Sequence, residues 1–157
     1  MFSLLKNLRI PQIFLPAVMF GAIGSLGCNT EPPIPETELV YGVVTLDDEP
    51  LPNATVMFYP SGSTSGIECS GTTDATGRFE IKHPRGAAGA PAGSYSVIVS
   101  RYVDGSGKAI DPKSDIPPAD LGAVESLPPK YSSPDATVLK ATVPPPEGEI
   151  KIELKSK

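Results

Sequence analysis

An acid, several hydroxyls and an arginine stand together in TTDATGRFEI, residues 72–81. A small active centre and a tight turn both use such residues. Asp74 at the first position and Gly77 at the fourth suit a type I turn, with Gly77 supplying the left-handed conformation that other residues resist. Residues 78–82 then alternate polar and apolar, the period of a half-buried strand. The spacing favours a hairpin in which Asp74 and Gly77 are structural turn residues.

The cysteines and the single histidine are the other residues with reactive side chains. Cys69 alternates with Ile67 and Gly71 on a predicted strand, which indicates a small buried apolar residue. A nucleophilic cysteine needs a base, and His83 follows RFEIK directly before a proline, where we expect it to face solvent. No Gly-x-Ser-x-Gly elbow occurs. A carboxylate pair for glycoside cleavage stays open because the chain has 18 acids, yet none lies in a recognisable setting. We expect no catalytic residues and no cofactor.

Aspartates recur in the long segment 102–130, and oxygen ligands of this kind can bind calcium. An EF-hand loop is excluded, since Lys108 occupies a ligand position and Ala109 the position of the required glycine. Two alternatives remain, an irregular calcium site and a Pro- and Asp-rich surface loop. We expect the surface loop and no metal. The aspartates concerned are Asp104, Asp111, Asp115 and Asp120.

The charge balance excludes one class of partner. The 157 residues carry a net charge of −5, and no basic patch occurs that could follow a phosphate backbone. Nucleic acid is therefore not an expected partner. Seventeen of the 19 prolines lie after residue 27, which disfavours helices and favours strands joined by stiff loops.

Residues 1–27 have the features of a lipoprotein signal peptide. Lys6 and Arg9 precede 18 uncharged residues, and Ser25-Leu26-Gly27-Cys28 resembles a lipobox, although the usual leucine lies three residues before the cysteine. Cleavage before Cys28 would leave this cysteine to be acylated, which anchors the chain to a membrane. An uncleaved membrane anchor and an ordinary signal peptide with a later cut are the alternatives. Residues 28–38 are a Pro-rich tether.

From residue 39 to 157 the chain predicts one domain of seven short strands with the long loop at 102–130. Alternation is clearest in ATVMFYP (54–60), SYSVIVS (94–100) and EIKIELK (149–155). Because no helical period interrupts these strands, the fold class is all-β, a seven-stranded antiparallel two-sheet sandwich.

The turn and strand motifs together resemble the transthyretin-like or carboxypeptidase-regulatory-like β-sandwich. The resemblance rests on GVVTLDDEPLPNATVMFYP, TTDATGRFEI and APAGSYSVIVS, with Glu49 where the family often has glycine. With PPKYSSPDATVLKATV the chain is also similar to short planctomycete-type lipoproteins, which have no assigned chemistry. Hydroxyisourate hydrolases of this fold use several histidines, arginines and a C-terminal tetrapeptide that this chain lacks.

The resemblance and the signal peptide together imply a non-catalytic lipid-anchored module of the cell envelope. It would act through protein contacts or as a structural component, and would face the periplasm or the cell exterior. The alternative is a carbohydrate-binding envelope module, which needs an exposed aromatic platform. Tyr59, Tyr102 and Tyr131 are the candidates for that platform, and the chain has no tryptophan.

Overall fold

The computed structural model describes residues 33–157, which form an all-β unit with little helix. This confirms the predicted all-β class. An α-helix α1 and a 3-10 turn, Pro118–Leu121, each have four residues. The strands are β1 Tyr41–Leu46, β2 Glu49–Pro50, β3 Thr55–Ser61, β4 Cys69–Thr72, β5 Arg78–Glu80, β6 Gly93–Ser100, β7 Tyr102–Val103, β8 Val124–Glu125, β9 Lys140–Val143 and β10 Ile150–Leu154, and α1 is Pro129–Ser132.

Within these residues the strands form two four-stranded sheets and one two-stranded ladder. In the first sheet β1 pairs with β10 along residues 42–46, while β2 and β5 pair with its two halves. The second sheet has the order β4-β3-β6-β9 and is antiparallel throughout. The ladder of β7 and β8 lies within the long loop.

One strand pair runs in a direction that the sequence did not predict. β1 and β10 are parallel, with Gly42 opposite Ile150 and Leu46 opposite Leu154. The prediction of an entirely antiparallel arrangement is wrong at this pair. Alternation has the same period of two in both kinds of sheet, so it cannot decide the direction of the first strand against the last.

The alternating apolar residues of both sheets pack into one core. Its buried aromatic pair, Phe58 of β3 and Tyr95 of β6, has ring centroids 5.6 Å apart at 52°. Each large side chain that leaves water contributes about 1.5–3 kcal/mol, so this alternation is the main source of stability. Further buried members are Val44, Val56, Val97, Val99, Ile152 and Leu154.

The chain enters this unit at one end, and the long loop lies at the other. Glu38 and Ala90 exchange two backbone hydrogen bonds, and the Tyr95 hydroxyl donates to the Pro91 carbonyl at 2.7 Å. These contacts bring the starts of β1 and β6 together. At the far end of β6, the Arg101 Nε donates to the Pro52 carbonyl, 3.2 Å away, beyond the end of β1. We call these the entry end and the loop end.

Candidate functional site

The carboxylate of Asp74 is used to hold the turn between β4 and β5. Its Oδ1 accepts hydrogen bonds from the Thr76 N–H at 2.8 Å, the Thr76 hydroxyl at 2.7 Å and the Arg78 N–H at 3.0 Å. The Gly77 N–H donates to the Asp74 carbonyl, and Gly77 has a φ of +76°. The Thr76 hydroxyl, followed by the two N–H groups, lowers the pKa of Asp74 below its ordinary value. The carboxylate is therefore ionised and committed to the backbone.

The same turn occurs a second time in the long loop. Asp104 Oδ1 accepts from the Ser106 N–H at 2.8 Å, the Ser106 hydroxyl at 2.6 Å and the Lys108 N–H at 3.0 Å, and Gly107 has a φ of +83°. The Ser106 hydroxyl is the largest cause that lowers the pKa of Asp104. Both turns share one sequence pattern: an aspartate, any residue, a serine or threonine, a glycine and a basic residue. Because this pattern is visible in the sequence, it was a signal that could have identified the second hairpin.

Asp104 is the first of the aspartates that the sequence offered as calcium ligands, and in the structure its carboxylate holds this second turn. Asp111 Oδ1 likewise accepts the Lys113 N–H, 2.9 Å away. Among residues 33–157, no three histidine, cysteine, aspartate or glutamate side chains lie together as metal ligands.

His83 is buried, with 3% of its surface exposed, and the prediction that it faces solvent is wrong. The chain turns back after it: the Gly86 N–H donates to the His83 carbonyl, and the His83 N–H donates to the Ala87 carbonyl. Its Nδ1 accepts the Arg85 N–H at 3.2 Å. The proline after His83 begins a turn that places a backbone N–H against the ring, so the chain that follows His83 holds it.

Cys69 is fully buried on β4, as its alternation predicted. Burial, followed by the nearby charge of Glu68, raises the pKa of its thiol. Because the thiolate is the nucleophilic form of cysteine, this thiol is kept in its unreactive protonated state.

The three predicted platform tyrosines have different surroundings. Tyr131 is buried, which rules it out as an exposed platform, and its hydroxyl oxygen accepts the Lys155 N–H at 3.2 Å. Tyr59 is half-buried on β3, whereas Tyr102 of β7 is 40% exposed. Tyr41, 48% exposed on β1, was not among the candidates, although its outward position in the alternation was readable.

Glu125 of β8 joins the long loop to the end of β6. Its carboxylate accepts the Ser100 hydroxyl, the Arg101 N–H at 3.0 Å and the Leu127 N–H at 2.9 Å. Three donors on one carboxylate fix the base of the loop, since hydrogen bonds to a charged acceptor are stronger than neutral ones.

A cavity of about 110 Å³, which we call the loop cleft, lies where this loop meets the outward face of the second sheet. Thr55 and Ser100, directly opposite each other on β3 and β6, line the sheet side. Tyr102 also lines the cleft, and Ile110 and Ile116 line it from the loop. At this cleft an exposed aromatic ring and polar side chains converge on a cavity.

Cys28 and the whole signal peptide lie outside the described residues. In residues 33–157, no helix has the length and apolar character needed to cross a membrane. Comparison of the chain with protein families, curated proteins and solved structures found no match.

Proposed function

We propose that this protein is a non-catalytic, lipid-anchored module of the cell envelope that acts through contacts with other envelope components. The observation that carries the proposal is the use made of its reactive side chains. The Asp74 carboxylate holds backbone N–H groups, His83 is buried with its Nδ1 accepting a backbone N–H, and Cys69 is a buried thiol. The exposed Asp74 carboxylate is taken up by the turn, while His83 and Cys69 are buried away from the substrate-accessible surface that catalysis would need.

The proposed domain is a transthyretin-like or carboxypeptidase-regulatory-like sandwich of seven main strands. Support comes from the overlap between the seven predicted segments and β1, β3, β4, β5, β6, β9 and β10. The two four-stranded sheets contribute side chains to one core, which is the organisation of a sandwich. The remaining strands, β2, β7 and β8, have two residues each.

The proposed anchor is Cys28, acylated after removal of residues 1–27. Each buried methylene of an acyl chain contributes about 0.8 kcal/mol, and two or more chains anchor stably. Residues 28–38 then connect the lipid to the entry end of the domain. In this arrangement the membrane is one partner, and an envelope protein or polysaccharide is the other.

Intact-mass analysis of the protein from its membrane fraction tests the anchor. We expect a chain that begins at Cys28 and carries the mass of acyl groups. Cys28→Ser is expected to abolish acylation and leave the chain released or uncleaved, while the matched Cys69→Ser variant stays acylated. A mature chain that begins elsewhere, or an unmodified Cys28, contradicts the proposal.

Crosslinking in intact envelopes tests the contact function. A soluble crosslinker applied to the acylated protein is expected to capture a reproducible envelope component, while Cys28→Ser captures far less because the domain is no longer held at the membrane. Turnover of an envelope substrate by the purified protein would contradict the non-catalytic role.

A further inference from the structure

The loop cleft has the mixed polar and apolar lining of a saccharide site, and we propose that it binds part of one ring of a neutral saccharide. It is formed by residues far apart in the sequence: Asn53 and Thr55 around the start of β3, the end of β6, and the segment 110–118. The proposal concerns the loop end of the domain and does not depend on Cys28.

The lining is divided evenly between polar and apolar residues. Asn53, Thr55 and Ser100 offer amide and hydroxyl groups on the sheet side, and Asp111 and Ser114 add polar groups from the loop. The Ser100 hydroxyl already donates to Glu125, and Asp111 Oδ1 and Ser114 Oγ each accept a backbone N–H. A purely apolar ligand would therefore leave chiefly the side chains of Asn53 and Thr55 without partners, at a cost in binding. The remaining lining residues are apolar, Tyr102, Ile110, Pro112, Ile116 and Pro118.

A sugar ring combines the two surfaces that this lining requires. Its hydroxyls match amide, hydroxyl and carboxylate partners, and its C–H face matches aromatic and aliphatic side chains. Tyr102 lines the cleft while 40% of its surface remains exposed, so its ring is available to a ligand.

The charge of the lining restricts the ligand further. Asp111 is the charged side chain of the cleft, and none of its lining residues is basic. Acidic sugars, phosphates and sulfates are disfavoured there because a like charge would be brought next to the carboxylate. Among glycans, the cleft therefore favours those without acidic groups, and we take a neutral glycan as the ligand class.

The volume limits the ligand to part of a single ring. The cleft of about 110 Å³ is smaller than a cavity of about 150 Å³ that accepts benzene, and far smaller than typical sites of about 300–1,000 Å³ for drug-sized ligands. One terminal ring can enter in part, with its neighbours in solvent.

Both sides of the cleft are held by hydrogen bonds that form without a ligand. The Ile110 N–H donates to the Tyr102 carbonyl at 2.9 Å, and Glu125 fixes the residue before Tyr102 to β8. On the sheet side, Ser100 is bound to Glu125 through its hydroxyl. A preorganised site loses less ordering entropy when it binds.

Saturation-transfer NMR with the full-length protein tests the proposal. The probes are the methyl glycosides of glucose, galactose, mannose and N-acetylglucosamine, with methyl glucuronide as the acidic counterpart. We expect millimolar binding of at least one neutral glycoside, and weaker binding of the glucuronide. Tyr102→Ala should weaken the neutral ligand about tenfold, the loss of one aromatic contact.

Tyr41→Ala is the matched control, since Tyr41 is similarly exposed but lies on β1 outside the cleft. It should bind as the wild type does, and Ile116→Ser, a second change in the cleft at a half-exposed position, should weaken binding. The proposal is overturned if none of the neutral glycosides binds, if Tyr102→Ala and Tyr41→Ala bind equally, or if the glucuronide binds best.

Discussion

At the scale of single residues, the turns at Asp74 and Asp104 have the same hydrogen bonds but pack against different surroundings. Gly77 and Gly107 occupy the same position in their turns and have φ values of +76° and +83°. A Cβ added at Gly77 would lie 2.5 Å from the Val44 carbonyl oxygen, whereas one added at Gly107 meets no atom within 4 Å. The first turn packs against β1, and the second stands in open space.

The pair allows backbone strain to be separated from steric contact. Gly77→Ala and Gly107→Ala both carry the left-handed strain of a non-glycine residue, about 1–2 kcal/mol. We expect Gly77→Ala to lower the free energy of unfolding by more than Gly107→Ala does. The added Cβ at position 77 would collide with β1, so β1 or the turn must also move. Urea denaturation midpoints measure the loss of stability in both variants. Equal shifts would show that the close approach to Val44 adds no cost to the backbone strain.

The carboxylates of these turns make the stability depend on acid. The pKa of Asp74 is lower in the folded protein than its ordinary value of about 3.9. Its contribution is therefore complete above the unfolded pKa and is lost as the pH falls through the folded pKa. Asp74→Asn keeps an oxygen acceptor but has no charge to lose, so its free energy of unfolding should fall less steeply below about pH 4.

Urea titrations at several pH values measure this difference. Asp135→Asn, at an exposed position outside both turns, controls for the loss of one negative charge. The control Asp135→Asn should follow the pH curve of the wild type. If Asp74→Asn also runs parallel to the wild type, the role given to the Asp74 carboxylate is contradicted.

At the scale of elements, two of the outer strands, β9 and β10, are protected against pairing with other chains. β9 and β10 each end a sheet. The Lys140 Nζ on β9 donates to the Ser96 hydroxyl at 2.7 Å, and prolines occupy positions 144–146 after the strand. Lys151 and Glu153 alternate along β10, and Lys155 follows its last residue. Charges and prolines at sheet edges discourage strand addition, which favours contacts made through loops.

The attachment of the long loop gives a prediction for a single side chain. Glu125→Ala removes the acceptor of the Arg101 and Leu127 N–H groups. We expect faster hydrogen exchange at these amides and across β7 and β8, with little change in β1 and β10, because local opening costs less than global unfolding. Glu147→Ala, an exposed glutamate between β9 and β10, is the control. Unchanged exchange in the loop would show that other contacts hold it.

Elements with strong alternation were predictable, whereas long-range pairing was not. Val97 and Val99 of β6 and Ile152 of β10 are inward in the sequence pattern and buried in the structure. The pairing of β8 with β7 depends on a partner more than 20 residues away, for which two-residue strands leave no periodic signal. His83 is buried by the turn that follows it, and Tyr131 is buried because α1 packs against β6, so local spacing could not show either.

For the cleft, the sequence identified the loop side of the site but not the residues of the sheet that complete it. Tyr102 and the long loop were candidates for binding, but Asn53 and Thr55 lie about 50 residues earlier and gave no signal of their own. Their convergence follows from the pairing of β3 with β6, which only the fold defines.

At the scale of the whole domain, the point where the described chain enters and the proposed binding site are at opposite ends. The chain enters beside Ala90 and the start of β6, and the loop cleft is at the end of β6. The eight residues of β6 span about 26 Å at the usual rise of a strand. A domain tethered at its entry end would therefore present the cleft away from the membrane.

Lipid quenching of fluorescent labels tests this orientation in the acylated protein on vesicles. Glu36→Cys places a label on the exposed tether side of the entry end, and Gly105→Cys places one in the open turn of the long loop. Cys69 is buried, so it should resist labelling in the folded protein. We expect spin-labelled lipids to quench the label at position 36 strongly and the label at position 105 weakly, because quenching requires close approach to the bilayer. Strong quenching at both positions would show that the loop end also contacts the membrane. The cleft would then face lipid, where a glycan ligand could not reach it.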